Sequence, residues 1–161
     1  MNRIAQALSA VLLASFLVLI GCSTRPSAVK SETEQSSSSQ EKSQMIQGTW
    51  IPISGELAGQ PFPQQVLKTI RLILTENRYT AVVAGKKDVG NLILRSNQQP
   101  RAMDILGTEG PNKGKTILAI YELTGDSLKV CYDLEGKTQP SEFRTSPGTQ
   151  QFLVSYKRVS Q

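Results

Sequence analysis

The fold is decided by Thr116-Ile117-Leu118-Ala119-Ile120-Tyr121-Glu122-Leu123-Thr124, followed by Gly125-Asp126 and then by Ser127-Leu128-Lys129-Val130-Cys131-Tyr132-Asp133. Both long runs are rich in β-branched, aliphatic and aromatic residues, which favours strands over helices. Gly125 between them supplies the positive φ that a tight hairpin needs. Alternation leaves the faces open: Ile117, Ala119, Tyr121 and Leu123 line one, and Leu118 and Ile120 make the other apolar too. In a barrel, one face lines the interior and the other is covered by a helix, a loop or a partner. In a sandwich, one face is normally wet.

The same texture extends outward from this hairpin. Short apolar runs at Thr49–Glu56, Ile70–Thr75, Tyr79–Ala84, Asp88–Arg95, Ala102–Leu106 and Phe152–Arg158 are separated by Gly, Pro, Asn and Asp. Pro52 cannot donate to a ladder, so the first run is expected at an edge or with a bulge. Pro63–Thr69 is the one candidate helix, with Pro63 as its first residue. Glu76-Asn77-Arg78, Ala84-Gly85-Lys86 and Glu135-Gly136 are turn-like. Eight short strands with close connections predict an all-β chain, an antiparallel meander closed into a small barrel or sandwich.

The chain before Met45 has a different character. Arg3 precedes an apolar stretch, Ala10 to Ile20, interrupted only by Ser15. A short charged segment followed by such a stretch is the layout of a secretory signal. The stretch ends in Leu19-Ile20-Gly21-Cys22, which resembles the bacterial lipobox. The resemblance implies cleavage after Gly21 and acylation of Cys22, with residues 1–21 as the removed signal peptide. Two or three acyl chains anchor stably where one does not. Ser23 stands where lipoproteins retained in the inner membrane tend to carry Asp. The expected location is therefore the cell envelope, at the outer membrane facing the periplasm. From Ser23 to Gln44 the chain holds eight Ser and almost nothing apolar. Such a segment cannot offset its ordering entropy, so residues 22–44 read as lipidated Cys plus flexible tether and 45–161 as the folded domain.

Two further motifs carry a family resemblance. Gly48-Thr49-Trp50 at the entry to the first strand resembles the lipocalin signature. There the Trp packs under the barrel floor and a basic residue of the last strand covers it; Arg158, or Lys157 beside it, is the counterpart. More extensively, four segments are similar to a family of small uncharacterised lipocalin-like domains expanded in Planctomycetes. They are Thr108 to Thr116, Ile120 to Leu123, Gly125 to Cys131 and Pro140-Ser141-Glu142-Phe143, preceded by Asp104. The similarity covers Ile46 to Arg158. It implies a lipocalin-like antiparallel barrel of about eight strands with one short helix, and it brings no activity. Gln139 departs from the Arg usual at that position.

The chemistry that remains is narrow. The chain has no His, which removes Ser-His-Asp and Cys-His catalysis and any imidazole-bound zinc. Glu109-Gly110-Pro111-Asn112-Lys113-Gly114-Lys115-Thr116 has a Glu where a phosphate-binding loop needs its first Gly, and a strand follows instead of a helix. It reads as a Gly/Pro-rich loop between two strands, with Glu109, Gly110, Pro111, Gly114 and Lys115 as a candidate interaction loop if the barrel holds a partner. Asp104, Glu109, Glu122 and Glu142 have no defined mutual spacing, and a catalytic pair needs one. Asp126 alone in a turn cannot make a calcium site. Cys131 has no base marked for it and reads as a small buried residue. The cations are spread rather than clustered and are not interleaved with aromatics, which argues against nucleic acid. No catalytic residue, metal or cofactor is expected. The expected function is a non-enzymatic envelope module, membrane-bound through Cys22, that takes a small apolar or amphiphilic ligand. The alternative is a filled barrel that holds a protein partner.

Overall fold

A computed structural model describes residues 45–159. The signal peptide 1–21, the cleavage and lipidation residues Gly21 and Cys22, and the Ser-rich segment up to residue 44 lie outside the described residues.

Nine strands and one short helix follow in order: β1 (Gly48–Leu57), β2 (Gln60–Pro61), α1 (Gln64–Leu67), β3 (Arg71–Thr75), β4 (Arg78–Val83), β5 (Lys86–Arg95), β6 (Ala102–Glu109), β7 (Thr116–Thr124), β8 (Ser127–Asp133) and β9 (Gln151–Arg158). Strands β3 to β9 pair antiparallel with their chain neighbours, and β1 pairs with both β3 and β9. That double pairing closes an eight-stranded barrel. The dipeptide β2 lies outside it as a flap on the end of β1, Glu56 opposite Pro61; two residues are too few to show a strand pattern in sequence.

Strand β1 closes the barrel by changing neighbours. Gly48 to Trp50 face β3, whereas Trp50 to Leu57 face β9. The register slips between Pro52 and Ser54, so the expected bulge is present in the barrel wall. Above Trp50, where β1 leaves β3, α1 fills the gap and buries Leu67. A Cβ on Gly55 would lie 3.0 Å from Leu67 Cδ2 and 3.3 Å from Phe62 Cβ, so the helix packs closely on β1 at this glycine. The helix is shorter than the sequence predicts. Pro63 caps it from an extended conformation (φ −59°, ψ 128°) instead of being its first residue, and the Thr69 hydroxyl donates to the Val66 carbonyl just past its end.

The two apolar faces of β7 now have distinct roles. Ile117, Ala119 and Tyr121 join Leu128, Val130 and Tyr132 of β8 and Val154 and Tyr156 of β9 in the barrel core. Ile120 faces outward with Ala102 and Cys131, and Phe143 packs over them. The cover is therefore a loop of the same chain, the connection between β8 and β9. Its start is pinned by the Asp133 carboxylate, which accepts the backbone N–H groups of Glu135, Lys137 and Thr138. Midway, the Gln139 amide donates to the Ala119 carbonyl at 2.6 Å. Near its end Thr145 donates to Glu56 and accepts from Gly59 N–H. Each bond satisfies a polar group that burial would otherwise leave costly.

Candidate functional site

The floor of the barrel brings together Gly48, Trp50 and Arg158. Trp50 is fully buried, and its indole N–H donates to the Ile46 carbonyl at 3.0 Å. Ile46, equally buried, belongs to the same core. Trp50 and Arg158 are directly opposite each other on β1 and β9. The guanidinium carbon of Arg158 lies 4.2 Å from the centroid of the Trp50 ring, the cation–π arrangement. Its three nitrogens are all used: Nε donates to Asp126 at 3.1 Å, Nη2 to the Met45 carbonyl at 2.8 Å and Nη1 to the Gln47 carbonyl. Gly48 (φ +134°) makes room, because a Cβ there would meet Nη1 at 2.9 Å. Asp126 is thus an ion-pair partner of Arg158, not the isolated turn residue that the sequence suggests. Lys157, one residue away, is exposed on the outer wall opposite Ile51.

The other end of the barrel opens on a cavity of about 140 Å³. Its walls are mainly aliphatic, among them Leu72, Leu92, Met103, Ile105 and Val130. Its outer lining includes Val83 and Leu134, both partly exposed. Typical ligand pockets measure ~300–1,000 Å³. An apolar cavity of ~150 Å³ stays dry and admits a molecule the size of benzene. The barrel is therefore partly filled, with space for one compact apolar group.

Five polar side chains also line this cavity, in two clusters. Near the opening, the buried Asp88 carboxylate accepts the Asn112 backbone N–H (2.9 Å), the Asn112 side-chain amide (2.8 Å) and the Tyr79 hydroxyl (2.9 Å). Deeper, the Tyr132 and Tyr156 hydroxyls meet at 3.1 Å. Burial is the main reason that the phenols of Tyr79 and Tyr132 ionise well above the ordinary range. Burial likewise raises Tyr156, to about 12. All three hydroxyls remain protonated near neutral pH.

Asp88 explains the loop that the sequence marks. Glu109 ends β6 opposite Val89, and the following turn folds back until Asn112 caps Asp88. Gly114 N–H donates to the Gly107 carbonyl and Gly107 N–H to the Lys115 carbonyl. Added Cβ atoms on Gly107 and Gly110 would strike the backbone carbonyls of Asn112 and Lys87. Glu109, Pro111 and Lys115 are exposed along it. The segment is a clasp on the barrel mouth, with Gly107 and Gly110 required by close backbone approach and Gly114 favoured by its positive φ of +76°.

The carboxylates singled out in the sequence are dispersed. Asp104 pairs with Arg95, Glu142 pairs with Arg144, and Glu122 is exposed opposite Lys129. Among the described residues no three His, Cys, Asp or Glu side chains gather as metal ligands. Cys131 is fully buried under the outer loop, its thiol donating to the Arg144 carbonyl, and burial raises its pKa to about 11. Such a thiol is a poor nucleophile near pH 7. Sequence reasoning missed Asp88, Asn112 and the three tyrosines. The available signal was strand parity: Asp88 and Leu92 are an even number of residues apart on β5, so one inward residue implies the other.

The fold and site define a closed antiparallel barrel with a Trp–Arg floor and a small, mostly apolar cavity. No protein-family model, curated protein or solved structure matches the chain.

Proposed function

We propose that this chain is a lipid-anchored lipoprotein of the bacterial envelope whose barrel is a non-enzymatic binding module for a small apolar or amphiphilic ligand. The single observation that carries the binding reading is the cavity of about 140 Å³, aliphatic along most of its wall and reaching solvent at the barrel mouth. The anchor at Cys22, the outer-membrane location and the kinship with Planctomycetes lipocalin-like domains rest on the sequence motifs.

Native mass spectrometry of the full chain, alongside organic extraction, tests the reading. A reproducible bound mass released on denaturation is the expected result. A clean apo mass after exposure to envelope lipids and metabolites would reject it. One observation favours a second reading, a barrel that holds a protein partner: the cavity is well below the usual size of a ligand pocket. That reading predicts partner capture that survives when the cavity is filled by mutation.

A further inference from the structure

A phenol carries one proton and can accept at its oxygen. When two phenols bond to each other, one proton lies between the oxygens and the second must point elsewhere. The Tyr132 and Tyr156 hydroxyls are 3.1 Å apart, and among the described residues neither has another hydrogen-bond partner. Both side chains are buried, and both line the cavity. One phenolic proton therefore has no protein acceptor within the barrel. An unmet buried donor is costly, and an incoming acceptor recovers that cost.

The walls restrict what that acceptor can be. Among the described residues, the only charged side chain lining the cavity is the Asp88 carboxylate. It disfavours a second anion in a space this small and poorly hydrated. Asp88 already receives three hydrogen bonds, so it has little left to offer a donor on the ligand. The cavity has room for little more than one ring or a short branched chain.

We infer that the barrel selects a compact, uncharged ligand bearing a hydrogen-bond acceptor, such as a carbonyl or ether oxygen, which seats on the Tyr132–Tyr156 hydroxyl pair. This rests on the reading of the barrel as a binding module and specifies its ligand class. The raised ionisation range of both phenols keeps the donor available at neutral pH.

Toluene, benzaldehyde and benzoate are matched probes of nearly equal size. Each would be titrated into the full chain and followed at the methyl signals of Met103, Ile105 and Ile117, which line the cavity, so that partition into lipid does not register. Benzaldehyde is expected to bind about three- to tenfold more tightly than toluene, the range of one neutral hydrogen bond, and benzoate more weakly than either. Tyr132→Phe and Tyr156→Phe should each retain the preference, since the remaining hydroxyl still has its proton. The double variant should lose it while still binding toluene. Equal affinities for toluene and benzaldehyde in the wild type would overturn the acceptor site and leave the binding reading standing. Methyl signals unmoved by all three probes would overturn both. A preference for benzaldehyde that persists in the double variant would also reject the tyrosine pair as its source.

Discussion

Arg158 spans the indole face of Trp50 at 4.2 Å and, from the same guanidinium, holds Asp126 and the backbone carbonyls of Met45 and Gln47. One side chain thus ties the end of β9 to the turn after β7 and to the chain entering β1. Arg158→Ala should lower stability by about 2–4 kcal/mol, combining a partly desolvated cation–π contact with charged hydrogen bonds. Arg158→Lys should fall between, because an ammonium cannot reproduce the planar fork. Urea denaturation followed by Trp50 fluorescence reads both. An Arg158→Ala midpoint equal to wild type would remove the floor from any structural account.

The mouth clasp makes a prediction about glycine. Gly107→Ala forces a methyl group onto the Asn112 carbonyl and should cost about 3 kcal/mol, at the upper end for overpacking. Lys113→Ala, on an exposed residue of the same turn, should stay within about 0.5 kcal/mol. Hydrogen exchange at the Asn112 amide should quicken in the first variant only. A systematic alanine scan of this loop would therefore confuse lost recognition with lost structure at Gly107 and Gly110.

Stability should decline in alkali in two stages. Folding raises the pKa of the Cys131 thiol from 9.0 to about 11 and that of the Tyr156 phenol from 10.0 to about 12, and raises Tyr79, Tyr121 and Tyr132 as well. Each neutral group is favoured in the folded barrel, so its contribution is intact below the unfolded pKa. It is lost as pH rises through the folded pKa. Urea midpoints should be flat to about pH 9, fall as the unfolded thiol ionises, and fall more steeply above about pH 10 as the tyrosines join. Cys131→Ala should delay the onset by about one pH unit. An unchanged onset in that variant would remove the thiol from the account.

Filling the cavity should separate folding from binding. Ala81 lines the cavity opposite Leu72 on β3 and Asp88 on β5. Ala81→Leu should keep or slightly raise the unfolding midpoint, since cavity volume carries a cost of ~24 cal/mol per Å³. Benzaldehyde and toluene affinity should drop at least tenfold. Retained affinity in a folded Ala81→Leu protein would place the ligand outside the barrel.

How much of this was legible in advance depended on whether the determinant was local. The eight barrel strands, the bulge forced by Pro52 and the hairpin at Gly125-Asp126 follow from residue type and neighbouring residues alone. Backbone φ, side-chain period and the missing N–H of proline act within a few positions. Trp50 and Arg158 were legible as a pair only through a motif resemblance, and Arg158 could not be separated from Lys157, because β9 parity is set by its register against β1. Which face of β7 turns inward was not decidable locally either: Ile120 and Ala119 are both apolar, and the outcome depends on where the β8–β9 loop lays Phe143 and Gln139.

The site lies further still from the reach of local reasoning. Asp88 and Asn112 are 24 positions apart, as are Tyr132 and Tyr156. Asp88 reaches Asn112 because β5 pairs with β6 and the following turn folds back, and Tyr132 reaches Tyr156 because β8 pairs with β9, so each meeting is set by strand pairing and register and not by neighbouring residues. The sequence by itself determined an all-β chain of short antiparallel strands, because those preferences are local. Only the tertiary structure decided that the barrel closes around a partly empty interior, since volume left over depends on how all the inward side chains pack together.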